Sequence, residues 1–151
     1  MDIVSELLQK MGDRQTGGVS ESFRRQLKSL LVDLVEESSD ILGALITSSD
    51  GHAWAEVMPN NLDSNRFAAM SSALLALSDT LAREAAKGPT NNVLIEGAQG
   101  NIYVLHAGKS MSLTVFTAAS PSFGLTLAQA RRTVEKIVLY ARDAAQKIGE
   151  Q

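Results

Sequence analysis

The chain has 151 residues, 44% hydrophobic and 21% charged, a composition ordinary for one globular domain and unlike that of a disordered segment. Its 17 acidic and 14 basic side chains leave a net charge of −3, which would not concentrate a phosphate backbone and argues against nucleic acid as a partner. It has no cysteines, which excludes disulfides, thiolate zinc sites and thiol nucleophiles. No apolar run approaches the roughly 20 residues of a membrane span, and the N-terminus lacks the basic region and continuous apolar core of a signal peptide. Those absences lead to the expectation of a soluble, cytoplasmic protein without membrane insertion.

In chain order, Ile3, Val4, Leu7, Leu8 and Met11 recur at helical spacing and form a short amphipathic segment. So short a helix is marginal alone and must dock, on its own domain, on a partner or on a neighbouring subunit. Gly12 to Gly18 reads as a flexible linker, so residues 1–19 are expected to form a separate segment and residues 20–151 the domain. The first domain helix starts near Ser20 or Ser22, both capable N-caps. Its stripe is Phe23, Leu27, Leu30, Leu31 and Leu34, with Val35 beside it. Ile41 to Thr47 and Ala53 to Met58 are strands, joined by Ser49-Asp50-Gly51, where glycine accepts the positive φ of a tight turn.

Pro59-Asn60-Asn61 ends the second strand, and Asp63 or Ser64 caps a long helix from about Asn65 to Lys87. Phe67, Met70, Leu74, Leu77, Leu81 and Ala85 share one side and are expected to pack on the sheet. Roughly opposite lie Ala69, Ser72, Ala73, Ala76, Thr80 and Arg83, mostly small where a solvent-facing surface would normally carry charge. Small side chains let a second helix approach closely, which suggests a subunit interface, although alanine also favours helix on its own account. Gly88-Pro89 stops this helix. Val93 to Ala98, Ile102 to Ala107 and Met111 to Ala118 form a meander with turns at Gln99-Gly100-Asn101 and Gly108-Lys109-Ser110. Ser120-Pro121-Ser122 opens the last helix, with Leu127, Val134, Ile137, Val138, Ala141 and Ile148 as its stripe.

The resulting order, α-β-β-α-β-β-β-α, predicts an α+β sandwich: a five-stranded antiparallel sheet with apolar side chains on both faces. Such a sheet needs cover on both faces, the central helix on one and the terminal two on the other.

Catalytic chemistry is hard to find in this chain. Gly108-Lys109-Ser110 resembles the end of a phosphate-binding loop, but the glycine required five positions earlier is Tyr103. His52 and His106 lack a spaced third metal ligand. Glu56 and Glu96 sit in strands and could pair as acid and base, yet nothing in the sequence brings them together. No Gly-x-Ser-x-Gly elbow occurs. Trp54 is expected to be a partly buried aromatic, with an edge or partner contact as the alternative. No catalytic residue, metal site or cofactor is assigned, and a binding module is expected rather than an enzyme.

The family resemblance is carried by Ile41-Leu42-Gly43-Ala44-Leu45-Ile46-Thr47-Ser48-Ser49-Asp50-Gly51 and the Ala/Ser/Leu-rich helix from Phe67, to which Asn92 to Ala98, Gly100 to Leu105 and Leu113-Thr114-Val115 add. On these the chain resembles the Roadblock/dynein light chain superfamily over about residues 20–147. The resemblance implies a profilin-like sandwich that dimerises through its central helix and an edge strand. It also implies, as for similar bacterial members, a Ras-like small GTPase as partner, which the module activates or scaffolds and to which it need not supply an arginine finger. The expectation is a non-catalytic homodimeric regulatory or scaffold module, with Asn65, Arg66, Ala69, Ser72, Ala73, Ala76, Thr80 and Arg83 as its dimer or partner interface. The alternative is a small-molecule-sensing or oligomerising adaptor domain.

Overall fold

The computed structural model describes residues 18–119 and 122–149. The amphipathic segment expected at Ile3–Met11, the Gly12–Gly17 part of the linker, Ser120 and Pro121 lie outside the described residues. The elements are α1 (Gly18–Glu37), β1 (Ile41–Ser48), β2 (Ala53–Val57), α2 (Ser64–Glu84), β3 (Asn92–Gly97), β4 (Gly100–Ala107), β5 (Met111–Ala118) and α3 (Phe123–Gly149). The expected order is the observed one. All strand pairs are antiparallel, in the spatial order β2-β1-β5-β4-β3, so the last strand lies at the centre and β2 and β3 form the edges.

The helices divide as the apolar pattern demands: α1 and α3 cover one face and α2 the other. The face under α1 and α3 holds the main core. Phe23, Leu27, Leu31 and Leu34 of α1 meet Ala44, Ile46, Leu105, Leu113 and Val115 of the sheet and Ala130, Ile137 and Ala141 of α3. Each fully buried leucine or isoleucine contributes about 2 kcal/mol by leaving water. An aromatic chain ties three elements together at the β2 edge. Half-buried Trp54 meets Phe23 edge-on at 5.9 Å, and Phe23 stacks on Tyr140 at 5.5 Å. In α3 the buried line is Thr126, Gln129, Ala130, Thr133, Ile137, Ala141 and Ala145; Leu127, Val134 and Val138 flank it, half-buried, and the side chain of Ile148 is outside the described residues.

Local chemistry explains the boundaries. At the first hairpin Gly51 has φ 87°, and Ser48 Oγ donates to Asp50 Oδ1 while accepting from the His52 N–H at 3.1 Å. The Asp63 carboxylate caps α2, accepting from the N–H groups of Asn65 (3.0 Å) and Arg66 (3.4 Å). The helix ends at Glu84, earlier than Gly88-Pro89 suggests. Ala86 takes the left-handed conformation at φ 55°, the Ala86 N–H donates to the Arg83 carbonyl at 3.0 Å, and Lys87 N–H donates to Ala82 at 2.8 Å. This is the Schellman closure, with alanine where glycine usually stands.

Close approach explains one glycine. A Cβ at buried Gly43 would lie 2.5 Å from Pro59 Cδ and 2.5 Å from the Val57 carbonyl oxygen, at a bulge where β1 meets β5. Gly43→Ala should cost about 1–3 kcal/mol in urea unfolding, because backbone on the neighbouring strand would have to move. Ala86→Gly should instead raise stability by about 1 kcal/mol, since it relieves the left-handed strain without touching a contact. A thermal melt checks it.

Candidate interaction surface

α2 lies across the sheet on Ala68, Ser71 and Leu75, its buried residues. The expected sheet-facing set therefore needs correcting. Phe67 does pack on the sheet, edge-on against Phe116 at 5.3 Å, but Met70 (47% exposed), Leu77 (57%) and Leu81 (62%) point outward, Ala85 is exposed past the helix end, and Leu74 is half-buried. The reason lies in what the sheet offers. Under α2 the strand registers align Thr47 with Ser112 and His106, and Leu45 with Thr114 and Val104. Side chains directly opposite share a face, so this surface is half polar and accepts small or polar helix residues. Thr114 Oγ1 donates to Ser71 Oγ at 3.0 Å, Ser72 Oγ donates to the Ser48 carbonyl at 3.4 Å, and Thr90 Oγ1 donates to the Ser78 carbonyl at 3.1 Å.

The large apolar side chains are thereby displaced to the outside, next to the small ones. Asn65, Arg66, Ala69, Ala73, Ala76, Thr80 and Arg83 are all exposed; Ser72, with its hydroxyl turned to β1, is half-buried. Met70, Leu77 and Leu81 join this set, and sequence spacing alone assigned them to the core. Between Arg66 and Arg83 the sole charged residue is Asp79. Its carboxylate meets His106 Nε2 at 3.1 Å on the sheet side. Thr80 Oγ1 donates to the Ala76 carbonyl at 3.1 Å, which engages that hydroxyl on its own helix. The outward face of α2 is thus uncharged for most of its length.

The edge strand β3 extends the same surface. Ile95 pairs with Ile102, which packs on the cluster of Leu45, Ala68 and Phe116 under α2, so Ile95 faces the α2 side and is 41% exposed. Exposed apolar residues scattered singly are normal, but a contiguous uncharged set marks an interaction site.

The other singled-out residues do not converge. Glu56 and Glu96 lie on the two opposite edges, separated by β1, β5 and β4. His52 sits in the first turn, 3.8 Å from Asp50, while His106 lies on β4. Lys109 is exposed in the β4–β5 turn. Ser112 stands across from His106 in the register, so that Ser112, His106 and Asp79 superficially suggest a nucleophile relay. The Ser112 hydroxyl is buried and makes no hydrogen bond, so it neither reaches substrate nor receives a base. Among the described residues no group of three or more histidine or carboxylate side chains is arranged to hold a metal ion, and no helix is long and apolar enough to cross a membrane. Burial raises the Tyr103 phenol above its ordinary pKa, with hydrogen bonds to Thr126 and Asn101 opposing the shift. It stays neutral in the core under α3.

The structure is an α+β sandwich whose central helix turns an uncharged face outward. The chain belongs to the Roadblock/LC7 domain family, whose description matches residues 27–117, more than half its length. Two uncharacterised proteins of Methanocaldococcus jannaschii, MJ1340 and MJ0310, are 29% and 28% identical to it over 103 residues, which make up 68% of this chain and 90% of each relative. Among solved structures, Myxococcus xanthus MglB superposes with a TM-score of 0.74 at 16% identity, covering 80% of this chain and 91% of that one. A Roadblock/LC7 domain from Streptomyces avermitilis gives 0.69 at 20% identity over 75% and 95%. The gliding protein MglB from Thermus thermophilus gives 0.72 at 17% over 80% and 92%. At these identities the likeness concerns the fold.

The Asp79–His106 pair links the C-terminal half of α2 to β4, and both side chains are about a third exposed. Solvent screening limits such a pair to about 0.5–1 kcal/mol. A double-mutant cycle of Asp79→Ala and His106→Ala, read by urea unfolding at pH 6, should return a coupling of that size.

Proposed function

We propose that the chain is a non-catalytic homodimeric module that binds a Ras-like small GTPase and modulates its activity or location. The observation that carries this reading is the uncharged outer face of α2, where Met70, Ala73, Ala76, Leu77 and Leu81 stand in solvent. Burying the two leucines and the methionine between copies of the chain would yield about 1–2 kcal/mol each from apolar area alone. The alanines between them let two helices approach closely. The exposed β3 edge, with Ile95 beside that face, is the edge strand the dimer would use.

Family membership supports an interaction role, and the GTPase assignment rests on the resemblance to bacterial Roadblock proteins that accompany such partners. One solved MglB structure is described as having a tetrameric arrangement, which supports an assembling module here too. Asn65, Arg66, Ala69, Ser72, Ala73, Ala76, Thr80 and Arg83 are assigned to the dimer or partner contact, with the arginines at the ends of the uncharged stretch. No residue is assigned a catalytic role. The division into residues 1–19 and 20–151, and a cytoplasmic location, belong to the same proposal. The alternative is a small-molecule-sensing or oligomerising adaptor domain, for which a pocket would have to lie between the sheet and a helix.

Ala76→Glu should dissociate the dimer in light scattering or abolish partner binding, because it puts a charge in the middle of the uncharged face. An unchanged dimer with unchanged binding would sink the proposal. The partner is tested by pull-down from source-cell lysate with GDP and with a non-hydrolysable GTP analogue. A small GTPase enriched in one nucleotide state is expected; no GTPase in either state shifts the reading to the sensor or adaptor.

A further inference from the structure

The two layers that cover the sheet are seated on different chemistry. Under α1 and α3 the contact is a large apolar core that joins both helices to the sheet, with Thr126, Gln129 and Thr133 buried near the start of α3 and Gln129 Oε1 unpaired there. Under α2 the apolar cluster is Leu45, Ala68 and Phe116, with Ala53, Met58, Phe67 and Ile102 around it. The two helix residues in that cluster, Phe67 and Ala68, both belong to its first two turns. Beyond them the helix passes over the polar row of Thr47, Ser112 and His106.

Leu75 is the buried residue at that point, 4% exposed, and it joins neither apolar cluster. Ser71, one turn before it, bonds Thr114, and Asp79, one turn after, meets His106. Residues four apart lie on one helix face, which places Leu75 over the polar row between those two ties. Thr47 Oγ1 and Ser112 Oγ in that row are buried without a hydrogen-bond partner. An apolar roof over unpaired hydroxyls leaves the hydroxyls desolvated and gives the leucine poor company.

We infer that α2 from about Ser71 to Glu84 is a separately opening layer, held to the sheet by polar ties rather than by a core. Those ties are Thr114–Ser71, Ser72–Ser48 and Asp79–His106, with Thr90 of the connection to β3 bonding back to Ser78. Local opening draws on regions with few buried apolar contacts, and this half of the helix is such a region. The surface on its outer side therefore rides on an adjustable support. Whatever seats on Ala73, Ala76 and Leu77 also sets how firmly the helix is held. The inference does not depend on what that occupant is.

Native-state hydrogen exchange on the full chain carrying Ala76→Glu, so that no second copy covers α2, tests it. Amides from Ala73 to Leu81 should exchange roughly tenfold or more faster than those of Leu27–Leu34 and Ile137–Ala145. Equal protection of the three helices would overturn the inference. A second measurement replaces the unpaired hydroxyls, with Thr47→Val and Ser112→Ala combined. This double variant should raise the thermal midpoint and slow exchange in α2 severalfold, towards the rates of α1 and α3. Unchanged or faster exchange in α2, or a variant that fails to fold, would show that the two hydroxyls are not a burden on the helix seat and would overturn it.

Discussion

A sheet that is apolar on both faces cannot stand in water on either, and the structure of this chain follows from meeting that demand twice. The strand that imposes it most strongly is β5, the last in sequence and the central one in space, with every residue from Met111 to Thr117 buried. Its odd positions, Met111, Leu113 and Val115, enter the core under α1 and α3; Phe116 enters the cluster under α2. Placing β5 between β1 and β4 brings the two halves of the chain together, since β1 and β2 precede α2 and β3 to β5 follow it. Neither half would bury its strands alone.

The two demands are met unequally. The α1 and α3 side receives long aliphatic side chains and the aromatic tie of Trp54, Phe23 and Tyr140. The α2 side receives serines, threonines and a histidine as well as apolar groups, so the helix above it contributes small and polar residues in return. A helix has a limited number of positions per turn. Once Ala68, Ser71 and Leu75 occupy the sheet side, Met70, Leu77 and Leu81 are left facing out. The same choice that seats α2 lightly on the sheet thus supplies an uncharged surface for a partner. Area alone does not convert to affinity, and the closeness of packing that alanines permit will matter as much as the exposed leucines.

Much of this is legible from residue order. The stripe of α1, the Asp63 cap, the turn at Gly51 and all five strands follow from periodicity and turn chemistry, which act within a few residues. Spacing misreads the α2 stripe because the helix carries two stripes, and hydrophobicity favours the one with methionine and leucine. What decides between them is the polar row of Thr47, Ser112 and His106, assembled from β1, β5 and β4, far apart in sequence. Turn chemistry misplaces the end of α2 for a related reason. Ala86 takes the left-handed conformation at φ 55°, two residues before Gly88 does at φ 80°, as the Schellman bonds to Arg83 and Ala82 close the helix there.

By itself the sequence determined the number, kind and order of the elements, the need to cover both sheet faces, and the family to which the chain belongs. These rest on side-chain alternation and short-range backbone preference, which a linear chain displays directly. Only the tertiary structure decided which face of α2 meets the sheet, that Asp79 turns to His106, and that Glu56 and Glu96 lie on opposite edges. Each of those depends on strand register, and register brings together residues whose separation along the chain carries no local signal.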